Sequence, residues 1–306
     1  MLEVRRLRLL RELARHGTIA ATARACSLTP SAVSQQLALL EREVGAPLLI
    51  RDGRRLVLTE AATLLVGHAE AVLAELERAR ASVAELTSAV RGVLRVAAFP
   101  TAARALLPTA IARCRRDHPD LRVHLVEADP PEAVAQVASG ALDLALVYEY
   151  DLLPRVRDTG IETTVLLREP LLAAIPEGWC PEEGPIELAE LAERPWIAPH
   201  GDAALRATLD RACGIAGFVP GVDYASSDYT AILALVAAGL GVSLMPALAG
   251  EPAPDGVRLR EVVGPRLVRT VSAVVRAGGA GNPPVAAMVE RLRVTVAGVS
   301  SAGRHA

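Results

Sequence analysis

The sequence predicts an α/β fold in which a small all-α unit with a β-hairpin comes first, followed by a long linker helix and a larger body. Three patterns support this prediction. Residues 17–59 have the spacing of two short helices and a hairpin, residues 59–90 keep a helical apolar repeat, and strands alternate with helices from residue 92. At 306 residues, of which 51% are apolar, the chain can form more than one buried core.

The charge is unevenly distributed along the chain. All 33 basic residues are arginine, and the formal net charge is −2. Residues 1–58, here called the head, have ten arginines against five acidic residues (+5), and the remainder has 23 against 30 (−7). A basic end on an acidic body is typical of a DNA-binding unit attached to a sensing or assembly module.

The first helix of the head is predicted over Val4–Arg15, ending at Gly17. Its apolar residues Leu7, Leu10 and Ala14 fall on one side, so we expect its arginines to face outward. An outward arginine-rich face is compatible with contacts to a DNA backbone and equally with simple solvation.

The next two helices read as a helix-turn-helix. Thr29 is suited to cap the second of them, and Pro30 occupies the first helical position, where no amide hydrogen is missed. Ser31, Ser34 and Gln35 share its polar face near the N-terminus, and such short side chains can enter a major groove and bond base edges. An ordinary capped surface helix is the alternative interpretation.

A hairpin follows over residues 47–59, with an Asp52-Gly53 turn, which is a strong hairpin signal. Arg51, Arg54 and Arg55 cluster near its tip. Cationic side chains at a hairpin tip indicate a wing that contacts phosphate.

These residues together resemble the LysR-type transcriptional regulator family. The matching run is Thr18-x-Ala20-Ala21, then TPSAVSQQL from residue 29 with Leu40-Glu41, then Gly45-x-x-Leu48, Arg51 and Leu58-Thr59. The sequence departs from the family where Pro30 replaces a frequent glutamine, Leu49 a usual phenylalanine and Ala62 a usual glycine. The resemblance implies a winged helix-turn-helix whose DNA-binding residues include Thr18, Thr29, Pro30, Ser31, Ser34, Gln35, Gln36, Arg51 and Arg54, with Ser31, Ser34 and Gln35 facing bases and Thr18, Gln36, Arg51 and Arg54 facing phosphates.

The helix predicted over residues 59–90 carries a coiled-coil seam. Its members are Leu65, Ala69, Val72, Leu76, Ala79, Val83, Leu86 and Val90, at alternating four- and three-residue steps. We expect this seam to pair two copies and to favour a pseudo-palindromic DNA site. In the alternative, the helix lies against its own domain.

The body is predicted to be two α/β lobes joined by crossing strands near residues 165 and 268. Its elements include a helix over residues 101–116 and strands over 164–167 and 171–175, and its strand-helix-strand rhythm predicts parallel pairing. The first lobe is expected over roughly 91–165 and 269–300 and the second over roughly 166–268, which completes a division into 1–58, 59–90 and 91–306. The family resemblance implies a periplasmic-binding-protein-like (type 2) effector domain, with GALDLALV at 140–147 and GLGVSLMP at 239–246 as landmarks.

Ligands of such sheets collect at the carboxyl ends of strands and at helix N-termini. The candidate effector-binding residues in these positions are Pro100, Thr101, Ala102, Tyr148, His200, Asp228 and Thr230. Thr101 is expected to hold a carboxylate. Nearby acids (Glu149, Asp202 and Asp228) favour an amino acid as effector, and another carboxylate is the competing prediction. For each residue, a capping or turn role is the alternative.

Cysteine spacing, catalytic motifs and one uncharged segment limit the range of possible functions. Cysteines 26, 114, 180 and 213 have no metal-ligand spacing, and no catalytic motif is complete, so we expect neither metal, cofactor nor catalysis. The uncharged residues 230–250 are broken by Gly239, Gly241 and Pro246, so we expect a cytoplasmic protein rather than a membrane span. Expected partners are double-stranded DNA, a small-molecule effector and further copies in a homodimer or homotetramer, with RNA polymerase as a further candidate. An effector-independent repressor or assembly protein, and an enzyme, are the alternative functions.

Overall fold

The computed structural model describes residues 1–52, 55–86, 90–154, 160–179, 184–201, 203–250 and 252–302. Its head contains helices α1 (Val4–His16), α2 (Ile19–Ala25) and α3 (Pro30–Val44), followed by hairpin strands β1 (Leu49–Asp52) and β2 (Arg55–Leu58). The turn at residues 53–54 lies outside the described residues.

The predicted caps delimit the head helices. Gly17 ends α1 and Gly45 ends α3, both in the left-handed conformation that glycine adopts without strain. Val33, Leu37 and Leu40 of α3 are buried in the core of the head. The Glu41 carboxylate accepts hydrogen bonds from the amides of Leu48 and Leu49, so the hairpin is fixed to α3.

The expectation that the α1 arginines face outward holds for Arg5 but was wrong for Arg8 and Arg11. Arg11 is 2% exposed, Arg8 is half-buried, and Ala14, which was expected on the buried side, is exposed. The reason is that α1 has a second buried face, which packs against the body rather than against α2 and α3.

Helix α4 (Glu60–Leu86) joins the head to the body. Leu65 and Ala69 pack on the core of the head, whereas Val72, Leu76 and Val83 further along the seam are exposed. Val90 was predicted to be the last residue of this helix, but it is not helical. It lies just before the first strand of the body and packs against the core there.

The body alternates strands and helices. The strands are β3 (Gly92–Ala98), β4 (Leu121–Glu127), β5 (Leu144–Tyr150), β6 (Ile161–Pro176), β7 (Ile186–Glu187), β8 (Trp196–Ala198), β9 (Val222–Ala225), β10 (Ser243–Pro246), β11 (Val257–Val263) and β12 (Val268–Arg276). The helices are α5 (Pro100–Ala105), α6 (Leu107–Asp117), α7 (Pro130–Ser139), α8 (Ala204–Ile215), α9 (Tyr229–Ala237), α10 (Ala247–Gly250) and α11 (Pro283–Ala302), with a 3₁₀ turn at Leu188–Leu191.

Within the described residues, eight strands form one mixed sheet. Its order is β4-β3-β5-β12-β6-β11-β7, with β10 also paired to β6. The β3–β4 and β3–β5 pairs are parallel, as the strand-helix-strand rhythm predicts. Strands β6 and β12 are antiparallel and run from the first lobe into the second, so they form the hinge of a two-lobed body.

Two details of the body differ from the predicted elements. The two strands expected at 164–167 and 171–175 are one continuous 16-residue strand, β6, with a register irregularity opposite Val271 and Ser272. The helix expected over 101–116 is broken at Leu106 into α5 and α6. Pro108, at the start of α6, has no amide hydrogen to continue the first helix.

The two lobes have separate cores. The core of the first lobe lies between the sheet and helices α5, α6 and α11, and the core of the second lobe surrounds Trp196, Leu205 and Leu209. None of the helices in the described parts of the chain combines the length and apolar character needed to cross a bilayer.

Candidate effector cleft and nucleic-acid interface

The polar face of α3 is open to solvent. Ser31, Ser34 and Gln35 are exposed near its N-terminus, where Pro30 holds the first position. The Thr29 hydroxyl accepts a hydrogen bond from the Ala32 amide at 3.2 Å. This face therefore presents exposed hydroxyl and side-chain amide groups, which can donate and accept hydrogen bonds at base edges.

The other residues predicted to bind DNA have mixed surroundings. Thr18 caps α2 by accepting from the Ala21 amide at 3.2 Å and is itself exposed. Gln36 is half-buried, and its Oε1 accepts from Arg6 Nε at 3.1 Å. Arg54 and the side chain of Arg51 lie outside the described residues, so their contacts with phosphate stay predictions.

A cavity of about 1000 Å³ lies between the two lobes. Of the predicted effector residues, the cavity is lined by Pro100, Thr101, Tyr148 and His200. Ala102 is fully buried in the core of the first lobe. Asp228 caps α9, because its Oδ1 accepts from the Thr230 amide at 2.8 Å, and Asp202 lies outside the described residues.

Arg269 of β12 is at the centre of the cleft and was not predicted from the sequence. It is 1% exposed and lines the cavity. Its Nε donates to Glu169 Oε1 at 2.7 Å, and its Nη1 donates to Thr101 Oγ1 at 3.1 Å. Its Nη2 lies 2.6 Å from Glu169 Oε1 and has no well-aligned hydrogen bond within the described parts of the chain, although the Tyr150 hydroxyl also interacts with the guanidinium group.

Glu169 belongs to the neighbouring crossing strand β6 and is directly paired with Arg269 in the sheet. Its second oxygen accepts from the Leu248 amide at 2.7 Å, at the start of α10. Burial is the largest single influence and would lower the pKa of Arg269. The charge and hydrogen bond of Glu169, together with Tyr150 and Tyr229, more than offset burial, so the pKa of Arg269 lies above its ordinary value. Arg269 therefore stays charged inside the hinge.

Aromatic rings surround the guanidinium group of Arg269. The guanidinium carbon lies 5.1 Å from the centroid of Phe99 and 5.6 Å from that of Tyr148, within range for cation–π attraction. Burial raises the pKa of Tyr150 well above its ordinary value and that of Tyr229 to about 12. These phenols are therefore neutral hydrogen-bonding groups at any physiological pH.

One sequence signal could have pointed to this pair. Arg269 is the one charged residue in the strand segment VRTVSAVV, and Glu169 stands between two apolar runs of β6. Charged residues in buried strands are almost always paired. The sequence does not show that these two strands are neighbours, so it could not identify the partner.

The structure gives no metal-ligand cluster among its described residues, and the described cysteines 26, 114 and 213 are free thiols. Cys114 and Cys213 are fully buried, and burial raises the pKa of Cys213 to about 12. Cys180 lies outside the described residues.

A helix-turn-helix head joined to a two-lobed α/β domain with a charged, aromatic cleft defines a class of ligand-responsive DNA-binding regulators. Comparison with protein-family models agrees. Residues 4–63 match the bacterial regulatory helix-turn-helix protein model of the lysR family, and residues 87–297 match the LysR substrate binding domain. The chain belongs to the LysR family of transcriptional regulators, whose members bind DNA and respond to effectors.

Relatives of known function match nearly the whole chain. The DNA-binding transcriptional dual regulator OxyR of Escherichia coli K12 is 30% identical over 304 residues, covering 97% of both chains. The regulator IlvY of the same strain is 28% identical over 266 residues, covering 86% of this chain and 88% of IlvY. These relatives are transcriptional regulators.

Solved structures have the same fold. CbnR bound to its target DNA superposes with a TM-score of 0.56 at 25% identity, covering 96% of this chain and 100% of CbnR. The OxyR C206 mutant of Corynebacterium glutamicum has a TM-score of 0.58 at 22% identity, covering 98% and 96%. The likeness to that OxyR concerns the fold alone.

Proposed function

We propose that this regulator binds a pseudo-palindromic operator as a homodimer or a pair of dimers, and that a carboxylate held against Arg269 and Thr101 controls it. The observation that carries the proposal is the buried guanidinium of Arg269, which faces the cavity between the lobes.

The exposed N-terminal face of α3 supports direct base contacts. Ser31, Ser34 and Gln35 are exposed, and none of them is needed for the head core, which is built by Val33, Leu37 and Leu40. Glutamine pairs with the edge of adenine in a major groove, and each such pair discriminates by about 1–3 kcal/mol.

Binding of genomic fragments by purified full-length protein tests the interface. Gln35→Ala should relax the preference for particular DNA sequences. Arg54→Ala should lower the affinity for every duplex and reduce, by about one, the slope of log binding constant against log salt concentration. Arg116→Ala, at an exposed position on α6, is the matched control and should leave both quantities unchanged. A Gln35→Ala variant with unaltered preference at every operator position would contradict the role of that residue.

The carboxylate proposal follows from the donors in the cleft. The Thr101 hydroxyl accepts from Arg269 and keeps its own proton for a ligand, and among the described residues Arg269 Nη2 has no well-aligned hydrogen bond. Because Glu169 already balances the charge of Arg269, a carboxylate would bind through directed hydrogen bonds more than through net charge. The cavity wall is apolar at Val134, Val147 and Val274, which suits the hydrocarbon part of such a ligand.

Matched pairs of small molecules test the class of effector. Melting temperature and calorimetric heat would be compared for benzoate against benzamide, and for glutamate against glutarate. A ligand that binds the folded protein raises its melting temperature, so benzoate should raise it and benzamide should not. A response to glutamate but not to glutarate would indicate an amino acid, with Glu149 and Asp129 of the cavity wall as amine partners. Equal shifts from benzoate and benzamide would contradict the proposal.

The exposed part of the α4 seam supports pairing of two copies. Val72, Leu76 and Val83 are 40%, 42% and 64% exposed, at heptad spacing. The opposite side of the same helix packs against the body, where an added Cβ on Gly278 would lie only 2.2 Å from the Ala74 carbonyl oxygen. The exposed seam is therefore free for a second copy of the chain.

Sedimentation would test this assembly. Leu76→Lys should shift the protein toward monomer, whereas Ala71→Lys, at an exposed position on another face of α4, should not. An unchanged sedimentation coefficient for Leu76→Lys would contradict pairing through this seam.

The likeness to OxyR suggests hydrogen peroxide as an alternative signal, because several matched relatives are named hydrogen peroxide-inducible genes activators. The reactive form of cysteine is the thiolate. Burial raises the pKa of Cys26, Cys114 and Cys213, so these thiols stay protonated. The described cysteines therefore give no support to peroxide sensing, and a reversibly bound ligand is the function we propose.

A further inference from the structure

The carbonyl end of α7 is bound by arginines from two distant parts of the chain. Arg8 Nη2 donates to Ser139 O at 2.8 Å, and Arg11 Nη2 donates to Ala138 O at 2.9 Å. Arg276 Nε, from the end of β12, donates to Val137 O at 3.4 Å. The last carbonyls of a helix have no partner within the helix and carry partial negative charge, so guanidinium groups are suited to them.

The arginines that bind the end of α7 lie in a largely buried interface, and acidic residues pair with two of them. Arg11 pairs with Glu12, which is 1% exposed, and Arg276 pairs with Glu77 of α4. Burial, together with the neighbouring charges of Arg276 and Arg11, lowers the pKa of Arg8. A packed interface with paired charges therefore joins the head to the first lobe.

Helices α1 and α7 both contribute residues to the wall of the effector cavity. From α7 and the residue before it, Asp129, Pro130, Pro131, Val134 and Ala135 line the cavity. From α1, Arg15 and His16 line it. Arg8, Arg11 and Arg15 lie at i, i+3 and i+7 and so share one face of α1. That face runs from the carbonyl end of α7 to the cavity.

We infer that the head helix α1 is the third wall of the effector site, so that ligand binding and docking of the head on α7 stabilise each other. This inference rests on the proposed function, since it assumes that the effector occupies the cleft. A ligand that touches α1 binds the docked arrangement more tightly and shifts the population toward it. The docked head still leaves Ser31, Ser34 and Gln35 exposed, so docking changes the position of the head without covering its DNA-binding face.

The walls of the cavity also indicate the shape of the ligand. Basic groups stand on two of its walls, with Arg269 at the hinge and Arg15 and His16 at the head. The volume of about 1000 Å³ is at the upper end for small-molecule sites, so a short monocarboxylate would leave most of it empty. An elongated dicarboxylate, with one acceptor group for each wall, fits this arrangement.

Hydrogen–deuterium exchange of the full-length protein tests the docking without any ligand. Arg8→Met keeps the aliphatic packing of Arg8 but removes the donor to Ser139 O. Exchange should become about tenfold faster in peptides covering 4–16 and 130–142 together, because one charge-assisted hydrogen bond is lost. Arg5→Met, at an exposed position on α1, is the matched control and should exchange like the wild type. Faster exchange in 4–16 alone would overturn the docking, since Arg8 would then serve only the head.

Calorimetry tests the coupling. Straight-chain dicarboxylates from succinate to suberate would be titrated into the wild type, Arg8→Met and Arg5→Met. Arg8 does not line the cavity, yet its replacement should weaken the best dicarboxylate about tenfold, as the loss of that one bond implies. Equal affinity in all proteins would refute the third wall while leaving the effector proposal in place. No heat from any dicarboxylate, with benzoate still binding, would refute the elongated ligand, and no heat from any carboxylate would refute the proposed function itself.

Discussion

Two buried arginine–glutamate pairs lie at the two boundaries of this molecule, and they are built differently. Arg269 and Glu169 face each other on adjacent crossing strands, 100 residues apart in sequence, and join the two lobes. Arg11 and Glu12 are neighbours on one helix, and among the described residues this pair reaches the body through the bond from Arg11 to Ala138 O. The first pair is part of a sheet, and the second belongs wholly to the head.

This difference determines what each boundary can do. Separating the strands that carry Arg269 and Glu169 would break the β-ladder of the hinge, so the hinge pair comes apart only on unfolding. Undocking α1 from α7 leaves Arg11 paired with Glu12 and returns both to water. The hinge pair is therefore a permanent part of the fold, whereas the docked head is suited to a reversible change of position.

The largest effect is expected at the hinge. Glu169→Leu leaves the Arg269 charge buried without its partner, so the free energy of unfolding should fall by about 3–5 kcal/mol. Urea denaturation, followed by tryptophan fluorescence from the second lobe, measures it. The double variant Glu169→Leu with Arg269→Met removes both charges and should recover most of the loss. If the double variant is no more stable than Glu169→Leu alone, the unpaired charge of Arg269 is not the cause of the lost stability.

A smaller effect is expected at the docked head. Arg11→Met removes the bond to Ala138 O and leaves Glu12 without its arginine. Because undocking lets water reach Glu12, the cost should be about 1.5–3 kcal/mol, the range of one hydrogen bond to a charged group. The same urea experiment measures this cost. A loss as large as that of Glu169→Leu would remove the distinction between a permanent and a reversible boundary.

Much of the fold was predictable because local chemistry decides it. Thr29 and Pro30 begin α3, and Gly45 ends it, at the bounds that capping rules give. The parallel pairing of β3 with β4 and β5 follows from the strand-helix-strand rhythm. The break of α5 and α6 at Leu106 was missed, although Pro108 signals it, because the apolar spacing on either side continues without interruption.

The centre of the candidate site was predictable only in part. Thr101, Tyr148 and His200 line the cavity at the strand ends and helix starts where the sequence placed them, and their contact with an effector stays a prediction. Arg269 was missed because its importance depends on Glu169, and strand pairing at that distance is not a local property. The docked face of α1 was missed for the same reason, since its partners are backbone carbonyls of α7, which carry no sequence signal.

The smallest effect on stability, and a direct effect on binding, is expected at Thr101. Thr101→Val keeps the shape of the side chain and leaves the Arg269–Glu169 pair intact, so removal of one acceptor at 3.1 Å should cost about 1 kcal/mol. The same change removes the hydroxyl proton that we assign to the ligand, so a carboxylate that binds the wild type should bind about tenfold more weakly. Calorimetry separates the two roles of Thr101, with Thr109→Val, at an exposed position on α6 away from the cavity lining, as the control that should bind like the wild type. If stability falls but carboxylate affinity does not, Thr101 belongs to the hinge alone, and the ligand is recognised elsewhere in the cleft.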